Sequence, residues 1–146
     1  MEKLEYRMTM DAPREKVWNI LWGDATYPVW TGVFSENSRV ETDWQEGSKV
    51  LFLGGGSEGL VSSIAANVPH EFMSFKHLGT IKDGVEDYDS EQTKQWAGSH
   101  ENYTLKTVDG KTELVVDLDV TEQDKDYFGK AWPKAMEKLK QLAEQG

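Results

Sequence analysis

Cysteine is absent from the 146 residues, so disulfides, thiol catalysis and Cys-based zinc sites are excluded together. Positive charge is scarce: 16 Lys and Arg face 26 Asp and Glu, a formal net charge of −10. Such a chain has no field with which to displace the counterions of a phosphate backbone, and an anionic membrane surface repels it. The expected partners therefore include neither nucleic acid nor membrane. Apolar runs are short, none near the roughly 18–20 residues of a membrane-crossing helix. The first ten residues, MEKLEYRMTM, lack the apolar core of a secretory signal, and the expected compartment is the cytoplasm. Proline is sparse and no Pro- or Ser-rich linker interrupts the chain, so one domain is expected over residues 1–146.

Ring area is what the chain has in plenty. The apolar share is only 38%, yet it includes 6 Trp, 5 Tyr and 5 Phe, so much of the buried surface has to come from large rings.

Residues 4–10 alternate apolar with polar, the period of a strand with one face on a core. Asp11-Ala12-Pro13-Arg14-Glu15 reads as a helix start with Asp11 or Ala12 at the cap, and Val17, Trp18, Leu21 and Trp22 give one short amphipathic helix. Residues 24–30 predict a second helical turn, with Pro28 confining it to its own first turn. From Asn37 to Val120 the pattern is strand after strand, expected near 38–43, 48–53, 58–67, 71–80, 98–108 and 111–120. Asp109-Gly110 predicts a tight hairpin, because both residue types accept positive φ. After Thr121, a candidate cap, Phe128, Trp132, Ala135, Met136, Leu139, Leu142 and Ala143 recur at spacings of three and four, which predicts a long helix to the C-terminus. Gly129 and Pro133 lie inside it and predict a kink near Gly129 or a restart at Trp132.

Strand, two short helices, six antiparallel strands and a long helix is the order of an α+β helix-grip fold, a curved antiparallel sheet of about six to seven strands wrapped around the last helix. Particular segments resemble the START-like (SRPBCC) superfamily. Ala12-Pro13-Arg14-Glu15-Lys16-Val17-Trp18-Asn19-Ile20-Leu21 is similar to its "aPreeVWnaL" opening, and Tyr27-Pro28-Val29-Trp30-Thr31-Gly32 falls where members carry an aromatic near the second helix. Glu46-Gly47-Ser48-Lys49-Val50 resembles the "eGg" turn, residues 68–75 resemble the "vdPprrLvf" strand entry, and residues 129–139 resemble the "GWp..L..L" helix. The subgroup these segments resemble is named after the C-terminal domain of the activator of the heat-shock-protein-90 ATPase. The resemblance implies a cavity between sheet and last helix; a reaction does not follow from a fold.

In the resembled fold, Trp30, Phe52, Met73 or Phe72, Phe75, Tyr103, Tyr127, Trp132 and Met136 lie on elements that line this space. Rings and methionines suit an apolar pocket with a few polar groups, and suit a filled core equally well. The segment 82–97 is long for a structureless connection, a length at which loops often act as lids, and Tyr88 and Trp96 are the residues by which it would close on a ligand. If the strands around residues 75 and 102 pair, His77 faces the stretch from His100 to Asn102. Strand alternation puts His100 and Glu101 on opposite faces, so the two cannot join His77 in one metal shell without a bulge, and a hydrogen-bonded or surface histidine pair is the better reading. His77 thus joins the ligand-binding candidates, which number no metal ligands.

Three other patterns carry less. Residues 54–61 match the kinase pattern G-x-G-x-x-G-x-V and the shorter dinucleotide pattern, but the residues after the glycines read as strand where a dinucleotide site needs a helix N-terminus, and a kinase needs a catalytic-loop Asp-Asn pair, an Asp-Phe-Gly metal ligand and far more chain, so a plain hairpin loop is expected. Asp87, Asp89 and Glu91 alternate as in a calcium loop, yet Gln92 stands where the sharp turn needs Gly and Gly98 where a bidentate Glu belongs. No G-x-S-x-G context is present, which leaves acid–base chemistry by Tyr103, His77 or Glu71 as the one catalytic option.

The reading is therefore a cytoplasmic START-like protein, without cofactor, whose cavity binds a small hydrophobic or amphipathic molecule unaltered, more a binder than an enzyme. The alternatives are a polyketide cyclase- or hydrolase-like acid–base enzyme and a co-chaperone-like module with a chaperone as partner. A monomer or weak dimer is expected, since an open sheet offers an edge strand.

Overall fold

The structure, a computed structural model, describes residues 1–35, 37–54 and 58–145. The chain runs β1 (Glu2–Met10), α1 (Arg14–Trp22), α2 (Tyr27–Thr31), β2 (Arg39–Glu41), β3 (Lys49–Leu53), β4 (Glu58–Val68), β5 (Phe72–Lys82), β6 (Val85–Asp87), α3 (Glu91–Lys94), β7 (His100–Val108), β8 (Lys111–Val120) and α4 (Glu122–Glu144). The strands form one antiparallel curved sheet in the order β1-β8-β7-β5-β4-β3-β2, with β6 paired to the end of β5. This is the helix-grip arrangement. The described residues form eight strands where the sequence predicts about six to seven.

The extra strand comes from the segment expected to be a structureless lid. Asp83 and Gly84 take φ of 51° and 79°, a two-residue turn that sends the chain back along β5 as β6. Ser90 then caps α3, accepting the Thr93 N–H at 3.2 Å. The Asp87 carboxylate accepts the N–H groups of Asp89 and Ser90, which commits it to the turn. Asp109 and Gly110 form the expected hairpin with φ of 52° and 77°.

Two expectations about helix ends need correction. Pro13 occupies the N-cap of α1 and no side chain caps it; the Asp11 N–H is taken by the Glu144 carboxylate at 2.9 Å, which ties the start of α1 to the end of α4. The last helix neither stops nor restarts at Trp132: α4 is continuous with Pro133 inside it. A proline ring crowds the carbonyl four residues earlier, and here that residue is Gly129, whose backbone yields most readily. Thr121 is the N-cap residue of α4, and its hydroxyl donates to the Asp124 carboxylate.

The buried side of the sheet is built by alternation. Leu114, Val116, Leu118 and Val120 of β8 and Tyr103 and Leu105 of β7 face α4, which buries Trp132, Ala135, Met136, Leu139 and Ala143 against them. The close backbone approaches of α4 are to β1, α1 and α2. Over the remaining strands, helix and sheet stand further apart, and large rings and a cavity occupy the gap.

Candidate functional site

A cavity of about 760 Å³ lies between α2, α4 and the strands β3, β4, β5, β7 and β8. Of the candidates named above, Trp30, Phe52, His77, Trp96, Tyr103, Tyr127 and Trp132 line it, with Trp22, Tyr27, Phe34 and Phe128 completing the ring wall. Met73, Phe75 and Met136 do not reach the lining; each is 2% exposed or less and belongs to the packed core next to it. Tyr88 lies elsewhere, 40% exposed, with its ring against Gly79, where a Cβ would overlap both that ring and the Asp87 carbonyl. Its hydroxyl donates to Glu86. Of the expected lid, Trp96 is the aromatic that reaches the cavity.

The rings interlock. Trp132 stacks on Tyr6 and meets Phe34, Trp30 and Tyr103 at centroid distances of 5.0 to 6.1 Å. Trp22 meets Tyr103 edge-on at 4.9 Å and Phe75 at 5.4 Å. The Trp30 N–H donates to the Leu21 carbonyl at 3.1 Å, whereas the buried indole N–H groups of Trp22 and Trp132 have aromatic neighbours and, among the described residues, no acceptor.

One wall of the cavity is polar, and the register of three strands explains it. Ser62 of β4 stands opposite His77 of β5. Glu101 of β7 stands opposite Phe75, placing it diagonal to His77 on the same face, and Tyr103 follows two residues on. A bulge between Val61 and Ser62 leaves Leu78 unpaired and re-aims β5 at this point. The result is a hydrogen-bonded chain. The Ser62 hydroxyl lies 2.7 Å from His77 Nδ1, His77 Nε2 lies 3.3 Å from Glu101 Oε1, and the Tyr103 hydroxyl donates to the other Glu101 oxygen. With His77 neutral and its proton on Nε2, every member is satisfied: Ser62 donates to Nδ1 and Nε2–H donates to Glu101.

Burial, reinforced by the Glu101 carboxylate, raises the Tyr103 and Tyr27 phenols well above their ordinary range. Both rings remain protonated donors under ordinary conditions. Ser62 is fully buried and lies behind His77, outside the lining, so it orients the imidazole and presents no nucleophile to the cavity. His100 is paired with Lys76 on the other face of β7 and stays apart from His77. Glu71, named above as an acid–base candidate, is removed from the cavity: its side chain is 58% exposed and pairs with Arg14 at 3.5 Å. Glu101 takes its place, and the signal that would have found it is its two-residue spacing from Tyr103 on a strand facing His77.

The glycine-rich stretch opens into β4, a strand, so no helix N-terminus follows it. The loop expected there falls at Gly55, Gly56 and Ser57, outside the described residues. Gly54 and Glu58 on either side both line the cavity.

A model of the family described as activator of Hsp90 ATPase homolog 1-like protein matches residues 11–144. The chain belongs to this family. The match agrees with the START-like reading of the sequence, and it spans every element from α1 to α4. No curated protein matches the chain. Among solved structures, the Aha1 dimer from Colwellia psychrerythraea is similar at 19% identity and a TM-score of 0.73, over 100% of this chain and 98% of that one. CalU16 from Micromonospora echinospora is similar at 17% identity and 0.67, over 97% and 76%. DynU16, from the dynemicin biosynthetic locus, is similar at 14% identity and 0.73, over 100% of this chain and 48% of that one. At such identities the likeness shows the fold alone. Among the described residues no helix is long and apolar enough to cross a membrane.

Proposed function

We propose that this family member binds a small hydrophobic or amphipathic molecule in the cavity between sheet and α4 and releases it unaltered, in the cytoplasm and without a cofactor. The observation that carries the reading is the lining: a ring-walled space of about 760 Å³, within the usual size of small-molecule sites, with the hydrogen-bonded set His77, Glu101 and Tyr103 on one wall. Rings supply apolar area, and Glu101, His77 and Tyr103 supply orientation. Native mass spectrometry of the purified protein, followed by thermal-shift screening against fatty acids, flavonoids and polyketide-like aromatics, tests it. The expected result is a co-purifying molecule or a concentration-dependent rise in melting temperature. Neither a bound species nor a shift with any class would sink the reading.

One observation favours the acid–base alternative. His77 and Glu101 are hydrogen-bonded and face the cavity, where a proton donor and acceptor would act on a bound carbonyl compound. Turnover of a bound molecule that stops in His77→Gln would decide for it; unchanged mass after prolonged incubation decides for binding. A chaperone partner follows from the family description alone. Among the described residues the exposed large apolar side chains, Met1, Val29, Val68, Val85, Tyr88, Val108 and Tyr127, are spread along the chain from its first residue to α4, an ordinary surface distribution. A monomer or weak dimer is proposed, with a dimer known for the Colwellia protein.

A further inference from the structure

The charges around the cavity are mainly of one sign. Among the described lining residues, Glu58, Glu101, Asp119 and Asp124 are acidic and Lys82 is the one permanent cation. Lys82 is at the rim, its side chain 72% exposed and paired with Glu58 at 3.4 Å. Asp119 accepts the His100 N–H at 3.0 Å and Asp124 accepts the Thr121 hydroxyl at 3.1 Å, so both have local work. Glu101 differs. Its side chain is only 20% exposed, and its partners are the His77 imidazole and the Tyr103 hydroxyl. No Lys or Arg forms an ion pair with it among the described residues.

A carboxylate has about four lone-pair sites, and these two partners engage two of them. A buried anion without a full positive counter-charge is costly, and a cation brought to it is correspondingly favoured. The rings beside it act in the same sense. Phe52 lies 6.2 Å from the His77 ring, and Trp22 and Trp132 flank Tyr103 at 4.9 and 6.1 Å. The faces of such rings attract cations, most of all where water is excluded.

We propose that the cavity selects an apolar molecule carrying a protonated amine, with the ammonium on Glu101 and the apolar part among the rings of Trp22, Phe52 and Trp132. The proposal rests on the reading of the cavity as a small-molecule site and adds the charge of the ligand. An apolar carboxylate is disfavoured by the same four acids, and a neutral alcohol gains the ring contacts without the ion pair.

Isothermal titration calorimetry with three probes of one shape tests this: 1-naphthylmethylamine, 1-naphthylmethanol and 1-naphthoate, near neutral pH at low and high salt. The amine should bind at least about tenfold tighter than the alcohol, and the naphthoate weakest. Added salt should weaken the amine and leave the alcohol unchanged, a comparison that needs no variant. In Glu101→Gln the ratio of amine to alcohol affinity should fall to about one. Equal binding of alcohol and amine, or naphthoate binding best, overturns the ammonium preference and leaves the cavity reading standing. An amine preference that survives in Glu101→Gln places the cation on the acidic surface and overturns the proposal as well. Binding of none of the three up to millimolar concentration overturns both readings.

Discussion

One strand shows two solutions to the same problem. Along β5, Met73 and Phe75 are buried to within 1% and belong to the filled core, while His77, Thr80 and Ile81 line an open cavity. Below the change the concave face is closed by Trp22, Tyr103 and the apolar stripe of α4; above it the cavity opens. The boundary coincides with the bulge at Leu78 and with His77, which follows Met73 and Phe75 on the concave face. A close-packed interior tolerates few voids, so a space of this size persists where the surrounding rings brace one another and the polar wall keeps its hydrogen bonds.

The largest test of that division falls on Trp132, which belongs to both regions, 2% exposed and lining the cavity. If its four ring neighbours make it a core residue, Trp132→Ala should cost about 3–5 kcal/mol in equilibrium urea unfolding. A loss near zero would mean that the ring only borders empty space and that the cavity, not the core, sets its surroundings.

Alkaline pH probes the polar boundary next. The phenols of Tyr27 and Tyr103 have native pKa values raised above the ordinary 10.0 by burial first and then by Glu101. Above pH 10 the unfolded chain releases these protons and the native state keeps them, so the stability they lend is complete below that pH and is lost as pH rises. The expected slope approaches about 1.4 kcal/mol per pH unit for each tyrosine. Urea unfolding at several values between about pH 9 and 11 measures it, and Tyr27→Phe with Tyr103→Phe should flatten the curve. An unchanged slope in the double variant would show that other groups drive the loss.

His77→Ala comes third. It strands the Ser62 hydroxyl, which has 0% exposure, and removes one partner of Glu101, so a loss of about 1–3 kcal/mol is expected. His77→Ala combined with Ser62→Ala should recover part of it, since two apolar groups leave no orphan. A double variant as unstable as the single one would place the cost in lost packing.

These effects also mark what the sequence made legible. The long strands and α4 were readable because each buries one face and so repeats at two or at three and four residues. Val85-Glu86-Asp87 is too short to show a period, and its signal was the Asp83-Gly84 turn before it. Ring residues were recognisable as a group, but Phe75 and His77 share a face two residues apart, and alternation gives them the same place. What separates core from lining is the bulge at Leu78, which is set by tertiary packing. Pro133 does not interrupt α4, and the carbonyl its ring crowds belongs to Gly129.

The smallest effect on stability is expected at Tyr127, on the rim. Its ring is 49% exposed, it lines the cavity mouth, and its hydroxyl donates to the Phe34 carbonyl at 3.1 Å, joining α4 to the segment after α2. A single exposed hydrogen bond of this kind contributes little, so Tyr127→Phe should shift unfolding by no more than about 0.5 kcal/mol. Exchange of a bound molecule is another matter if the entrance lies between α4 and the segment after α2, which this bond joins. Stopped-flow quenching of Trp fluorescence by a naphthyl probe should show association and dissociation both faster in Tyr127→Phe, with their ratio preserved. Unaltered rates would move the entrance away from α4, toward the Gly54 and Glu58 side of the cavity.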